Sequence, residues 1–184
     1  MPQLATELPH CVLRPWRAAD KPDLVRLAGN RAVWRNMTHS FPHPYTPEDA
    51  DLWLEIAANP GASIQLAIDV DGRAVGGIGA IAGEGIFQAT AQFGYWLGEP
   101  FWGLGIASAA ARALAARIAA ERLFARLEAQ VFEWNPASMR VLEKAGFLRD
   151  AVLRCAATKE GRLLDTVLYS RVFAHSGDPS LRRS

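Results

Sequence analysis

The run Gln92-Phe-Gly-Tyr-Trp-Leu-Gly-Glu-Pro-Phe-Trp-Gly-Leu-Gly-Ile-Ala-Ser108 constrains this chain more than any other stretch. β-type residues give way to a glycine-punctuated turn, which leads straight into an alanine-rich segment of helical character. Such a strand–turn–helix leaves the first helical amides without intrahelical acceptors, where the macrodipole also favours an anion. Gly103 and Gly105 let the backbone approach a bulky anion with no Cβ in the way.

The flanking sequence reads as a mixed α/β chain. A first strand is expected over Cys11–Trp16, a helix over Asp20–Gly29 and a short helical turn over Arg31–Met37. The prolines of Thr38–Tyr45 predict a loop. Thr46-Pro47-Glu48-Asp49 is a helix start, with Ala50, Trp53, Leu54 and Ala57 as its buried stripe and Asn59-Pro60-Gly61 as its stop. Ser63–Val70 and Arg73–Ala82 form a hairpin about Asp71-Gly72. Gly76-Gly77-Ile78-Gly79 follows a hairpin and precedes no helix, so it reads as a strand kept slim for a close approach, not as a phosphate loop. Further strands are expected over Ala89–Leu97 and Ala125–Phe132, and helices over 103–121 and from Asn135 to Ala145. Phe147–Cys155 and Leu163–Val172 close the chain as a hairpin around Lys159-Glu160-Gly161, with 174–184 as a flexible tail. No repeat or linker divides 1–184, which is expected to form a single domain.

Composition narrows the ligand. A net charge of +1 gives no overall basic field for nucleic acid, so an anion must be held by local donors. No apolar run reaches membrane-spanning length, and Met1–Glu7 lacks the marks of a signal peptide, so no membrane partner and a cytoplasmic location are expected. Cys11 and Cys155 stand far apart in no metal-ligand spacing, which predicts reduced thiols and no metal. A dinucleotide fingerprint fails because Ser108 stands at the third glycine position, and Glu128 lies inside a strand. No Gly-Lys-Ser or Gly-Lys-Thr completes a Walker loop.

A second block, Asn135-Pro-Ala-Ser138-Met-Arg140-Val-Leu-Glu143-Lys144-Ala-Gly146-Phe147, decides the direction. Together with Leu13-Arg14-Pro15-Trp16 and Asp20, Gly94-Tyr-Trp-Leu, Trp102-Gly-Leu-Gly-Ile-Ala107 and Gly161-Arg-Leu-Leu-Asp165, it resembles the GNAT superfamily of acetyl-CoA-dependent N-acetyltransferases over about residues 10–173. Within it the chain is most similar to the group of ribosomal-protein N-terminal (alanine/serine) acetyltransferases.

The resemblance implies a mostly antiparallel mixed sheet of about seven strands, splayed between the fourth and fifth, with helices on both faces. It implies acetyl-CoA as co-substrate, an amine acceptor (a small molecule or a protein N-terminus) and an assembly that is often a homodimer. The amides of Gly103, Leu104, Gly105, Ile106 and Ala107, flanked by Trp102 and Ser108, would cradle the pyrophosphate. Main-chain groups of Trp96, Leu97 and Gly98 would pair with the pantetheine arm across a gap facing Val131, and the Leu97 N–H would stabilise the oxyanion. Asn135 would contact the pantetheine amide or only cap its helix; Ser138 would donate to the departing thiolate or only reinforce that cap. Arg140 and Lys144 read as solvated helix face.

One position departs from the pattern. Gln92 stands where many members carry a general-base Glu, and an amide cannot take the proton. An α-amine of pKa near 8 is already about 10–30% neutral near pH 7.4, whereas a lysine amine is about 0.1% neutral, a penalty of roughly 4 kcal/mol. The chain therefore suits an α-amine better than a lysine. Glu84, Glu99, Glu133, Asp165, His39 and His43 are the other candidate bases, and Trp34, Phe41, Tyr45 and Trp53 supply aromatic lining or core. A small amine acceptor, or a coenzyme A sensor without turnover, are the alternatives.

Overall fold

A computed structural model describes residues 3–173; the tail expected from 174 onward lies outside the described residues. Eight strands form one sheet: β1 (Leu4–Ala5), β2 (Cys11–Arg14), β3 (Ile64–Val70), β4 (Arg73–Ala82), β5 (Thr90–Leu97), β6 (Arg126–Phe132), β7 (Leu148–Lys159) and β8 (Arg162–Val172). Their spatial order is β1-β2-β3-β4-β5-β6-β8-β7. Every neighbouring pair is antiparallel except β5–β6. That pair is parallel because α4 (Ile106–Glu121) carries the chain back across the sheet between them.

The eighth strand is β1, whose two residues are too short to leave a periodic signal. With it counted, the expected opening between the fourth and fifth strands falls between β5 and β6. The closing hairpin also runs further than expected. β7 continues to Lys159, and Glu160 and Gly161, both at positive φ, form the two-residue turn.

α1 (Lys21–Ala28), α2 (Arg31–Trp34) and α3 (Pro47–Ala58) lie on one face of β2–β4, while α4 and α5 (Pro136–Lys144) take the other. α3 opens at the helix start that its sequence announces, and the structure adds a capping box: Thr46 Oγ1 accepts from the Asp49 N–H at 3.2 Å, and Asp49 accepts from the Thr46 N–H at 2.8 Å. Ala109, Ala110, Ala111, Leu114, Ala115 and Ile118 are buried, so α4 settles closely on the strands. Arg14 donates three bonds to buried carboxylates, two to Asp20 at 2.7 and 2.8 Å and one to Asp69 at 2.6 Å, and a fourth to the Pro15 carbonyl at 3.1 Å. This network ties β2 and β3 to the entry of α1 and explains why Arg14 and Asp20 stand together in the leading motif. Among the described residues no helix is long and apolar enough to cross a membrane.

Candidate active site

The parallel ladder between β5 and β6 has three rungs, Thr90–Arg126, Ala91–Leu127 and Gln92–Glu128, and then stops. Beyond Gln92 the two strands run on without pairing, so a gap opens toward their C-terminal ends. The register tells which backbone groups face it. Gly98 donates to Val75 at 2.8 Å and Gly83 to Thr90 at 2.9 Å, so the even residues of β5 bond to β4. The odd residues, among them Tyr95 and Leu97, turn their N–H and C=O to the gap. On the far wall, Glu133 donates to Asp165 at 3.0 Å, which directs Gln130 and Phe132 inward.

This corrects part of the expectation. Trp96 and Gly98 give their main-chain groups to β4, and of the three residues only Leu97 faces the gap. The Leu97 carbonyl accepts from the Trp102 indole N–H at 2.7 Å, leaving its N–H as the group directed inward. Val131, expected on the rim, pairs with Val167 of β8 instead.

The turn after β5 lies at the mouth of the gap. Gly103 and Gly105 have φ of +77° and +78°, which few other residues adopt, and a Cβ on either would meet nothing within 4 Å. The space before both is open. α4 starts at Ile106, three residues later than expected, and its first bond runs from the Ala109 N–H to the Gly105 C=O at 3.0 Å. The amides of Ile106, Ala107 and Ser108 thus stand ahead of the helix ladder. The side chains of Ile106 and Ser108 are buried, so these residues can offer only main chain, while Trp102 and Leu104 are exposed.

α5 faces the gap from the helical side. Asn135 caps it, its Oδ1 accepting from the Ser138 N–H at 3.1 Å, which leaves the Nδ2 amide as its remaining polar group. Ser138 meets a residue to which the sequence assigned no role. The Tyr95 hydroxyl donates to the Ser138 carbonyl at 3.0 Å and shares a hydrogen bond with Oγ at 2.7 Å. Burial pushes the Tyr95 phenol well above its usual range, which keeps it protonated as a donor. Its signal was present in Gly94-Tyr-Trp-Leu, but only the strand's alternation shows that residue 95 faces α5. Arg140 and Lys144 lie exposed on the helix.

On the opposite sheet face, a cavity of about 290 Å³ sits where the ladder ends, lined by Ile81, Phe87, Thr90, Gln92, Glu128 and Gln130. None of the acids or histidines offered from the sequence as candidate bases lines it. His39 Nε2 is bound to the Thr158 carbonyl at 2.8 Å, and His43 stacks on Trp34. Glu99 accepts from Asn30 at 2.7 Å and Asp165 from the Cys155 N–H at 2.9 Å; Glu84 and Glu133 are exposed. Phe41 packs against Tyr45 and Trp96, and the half-buried Trp53 stands edge-on to Trp16. Lys159, expected in a turn, is buried with Nζ 2.9 Å from the Met37 carbonyl and 3.7 Å from the centre of the Trp34 ring. Burial lowers its ammonium below the usual lysine range.

Residues 10–148 match the family described as Acetyltransferase (GNAT) domain. The chain belongs to this family. GNAT members are acetyl-CoA-dependent N-acetyltransferases. The match covers the gap, the glycine turn and α5, and stops at the start of β7. The N-acetyltransferase p20 of Bacillus licheniformis, itself described as uncharacterized, is 34% identical over 83 residues, 45% of this chain and 47% of its own length. That match spans about half of the relative. Among solved structures, the ribosomal L7/L12 alpha-N-protein acetyltransferase RimL, in complex with coenzyme A, superposes with a TM-score of 0.83 at 22% identity, covering 94% of this chain and 98% of its own. The microcin C7 self-immunity acetyltransferase MccE, in complex with acetyl-CoA and AMP, gives 0.79 at 22% identity over 90% and 94%. At these identities the likeness carries the GNAT fold.

Proposed function

We propose that this GNAT enzyme acetylates a primary amine by direct attack on acetyl-CoA, and that its acceptor is a protein N-terminal α-amine. One observation carries the reading: the β5–β6 ladder stops at Gln92–Glu128 and opens beside a helix start whose amides and open glycines suit a pyrophosphate. From Gln92 to Leu97 the strand spans roughly 17 Å. That is room for an extended pantetheine arm running from the mouth to the closed end.

Leu97 pairs with the arm near the mouth. Tyr95 N–H, one rung deeper, binds the thioester carbonyl and the oxyanion that forms from it. This moves the oxyanion role from Leu97 to Tyr95, because the acetyl end must reach the closed end of the gap. Asn135 Nδ2 reaches a pantetheine carbonyl. The Ser138 hydroxyl, held 2.7 Å from the Tyr95 phenol oxygen, can turn its proton to the sulfur as the C–S bond breaks.

RimL, named as an α-N-protein acetyltransferase, supports the N-terminal acceptor. The test is coenzyme A thiol release with acetyl-CoA and a panel of amines: unblocked peptides, lysine-bearing but N-blocked peptides, and small amines. Faster turnover of the unblocked peptides is expected. Preference for the ε-amine would refute the α-amine assignment.

A further inference from the structure

Gln92 leaves the family reading without a proton acceptor on β5, yet the same rung of the ladder carries a carboxylate. Gln92 and Glu128 are register partners on neighbouring parallel strands, about 4.8 Å apart, and side chains opposite one another share a face. Both line the 290 Å³ cavity at the closed end of the gap. Resting on the acetyl-transfer reading above, we propose that this cavity receives the acceptor ammonium and that Glu128 takes its proton, the base having moved one strand across the sheet.

The surroundings suit a cation. Arg126, two residues earlier on β6, donates through Nε to Glu128 Oε1 at 2.6 Å and through a terminal nitrogen to Asp150 of β7 at 2.7 Å. It therefore divides one positive charge between two carboxylates. Glu128 Oε2 has no hydrogen-bond donor among the described residues. The Asp150 carboxyl is held below its usual range by the Ser170 hydroxyl and by Arg126. Around Glu128 the other groups do not titrate: Gln92 and Thr90 on β5, Ile81 on β4, Phe87 before β5, Gln130 on β6 and Ser170 opposite on β8. The Gln92 carboxamide oxygen is a second acceptor for the ammonium. Ile81 and Phe87, both more than half exposed, form an apolar rim for the residue that bears the amine.

The step balances. The ammonium N–H bond breaks and its proton passes to Glu128, and the freed lone pair forms the C–N bond to the thioester carbon. Collapse breaks the C–S bond, the sulfur leaves as thiolate, and one of the two protons left on the nitrogen reaches it by way of the Ser138 hydroxyl while the other stays on the amide. Glu128 then returns its proton to solvent.

The experiment compares wild type, Glu128→Gln, Glu128→Asp and the double variant Glu128→Gln/Gln92→Glu. The probes are glycinamide and an unblocked, lysine-free alanyl peptide, with thiol release followed from about pH 6 to about pH 10 to bracket the α-amine pKa near 8. Acetyl-CoA affinity is measured by calorimetry on every variant, as a check on folding and on the donor site. Glu128→Gln is expected to lose about 10²–10⁴-fold in kcat/KM below the amine pKa. The deficit should shrink as pH rises and the amine deprotonates by itself, with acetyl-CoA affinity unchanged. Glu128→Asp should retain part of the rate, and Gln92→Glu should recover at least about tenfold in the Glu128→Gln background. A wild-type rate in Glu128→Gln, or a loss that is equal at every pH, overturns the role of Glu128 while leaving the acetyltransferase reading intact. A wild-type chain that binds acetyl-CoA but turns over neither amine overturns the amine-acceptor reading and the proposal with it.

Discussion

Two glycines of one ladder should respond to alanine in opposite directions. Gly76 of β4 pairs with Leu97, and a Cβ built on it would stand 2.3 Å from the Trp96 carbonyl oxygen and 3.0 Å from Leu97 Cα. Both neighbours are backbone and cannot swing aside, so β4 and β5 must part by roughly 0.7 Å even to reach a tight contact. Overpacking of this kind costs about 1–3 kcal/mol, and at this chain length each kcal/mol lowers Tm by about 2–4 °C. The displaced strand carries the Leu97 N–H that faces the gap. A bond worth about 0.5–1.5 kcal/mol is then strained, and acetyl-CoA should bind about threefold to tenfold more weakly. Gly94, three residues before Leu97, has nothing within 4 Å of its Cβ position and an ordinary strand φ. Gly94→Ala should therefore stabilise by about 0.4–1 kcal/mol through the unfolded chain and leave acetyl-CoA affinity unchanged. Thermal melts and calorimetry on the two variants decide the matter. Equal melting shifts of the same sign would refute the claim that β4 sets the position of the gap wall.

Other consequences follow from single contacts. Gly105→Glu combines a side chain at φ +78° with a like charge in the open space before α4, and should abolish acetyl-CoA binding; retained micromolar affinity by calorimetry would remove the turn from the donor site. Tyr95→Phe deletes both bonds to Ser138 and should slow thiol release about tenfold or more, with acetyl-CoA affinity changed little; an unchanged rate would reduce Ser138 to a helix-cap residue. Lys159→Ala leaves the Met37 carbonyl unpaired and Trp34 without its cation, so it should cost about 1–3 kcal/mol in denaturant titration while sparing acetyl-CoA binding.

The elements that local pattern controls were legible: the Thr46 helix start, the Asp71-Gly72 hairpin and the glycine turn into α4 all stand where the residues put them. The slim strand Gly76–Gly79 was legible as a close approach, and its glycines do lie under Trp96 and against Ile64 and Gln65. What stayed hidden depends on partners far away in the chain. β1 exists because two residues find β2, and Lys159 is buried because the α2 region lies over the hairpin. Tyr95 gained a role only when alternation turned its ring to α5, where Ser138 waits 43 residues later.

Position 92 shows the same limit from the other side. Taken alone, Gln92 reads as a loss, because the chemistry of one strand is judged by that strand's own residues. A sheet does not keep its chemistry within strands. Its unit is the rung, and on the last rung before the gap the amide at 92 faces a carboxylate at 128. The two residues line one cavity although 36 positions separate them in sequence. Parallel pairing through α4 creates that rung, so in the proposed mechanism the helix whose amides hold the donor also brings a carboxylate to the acceptor side.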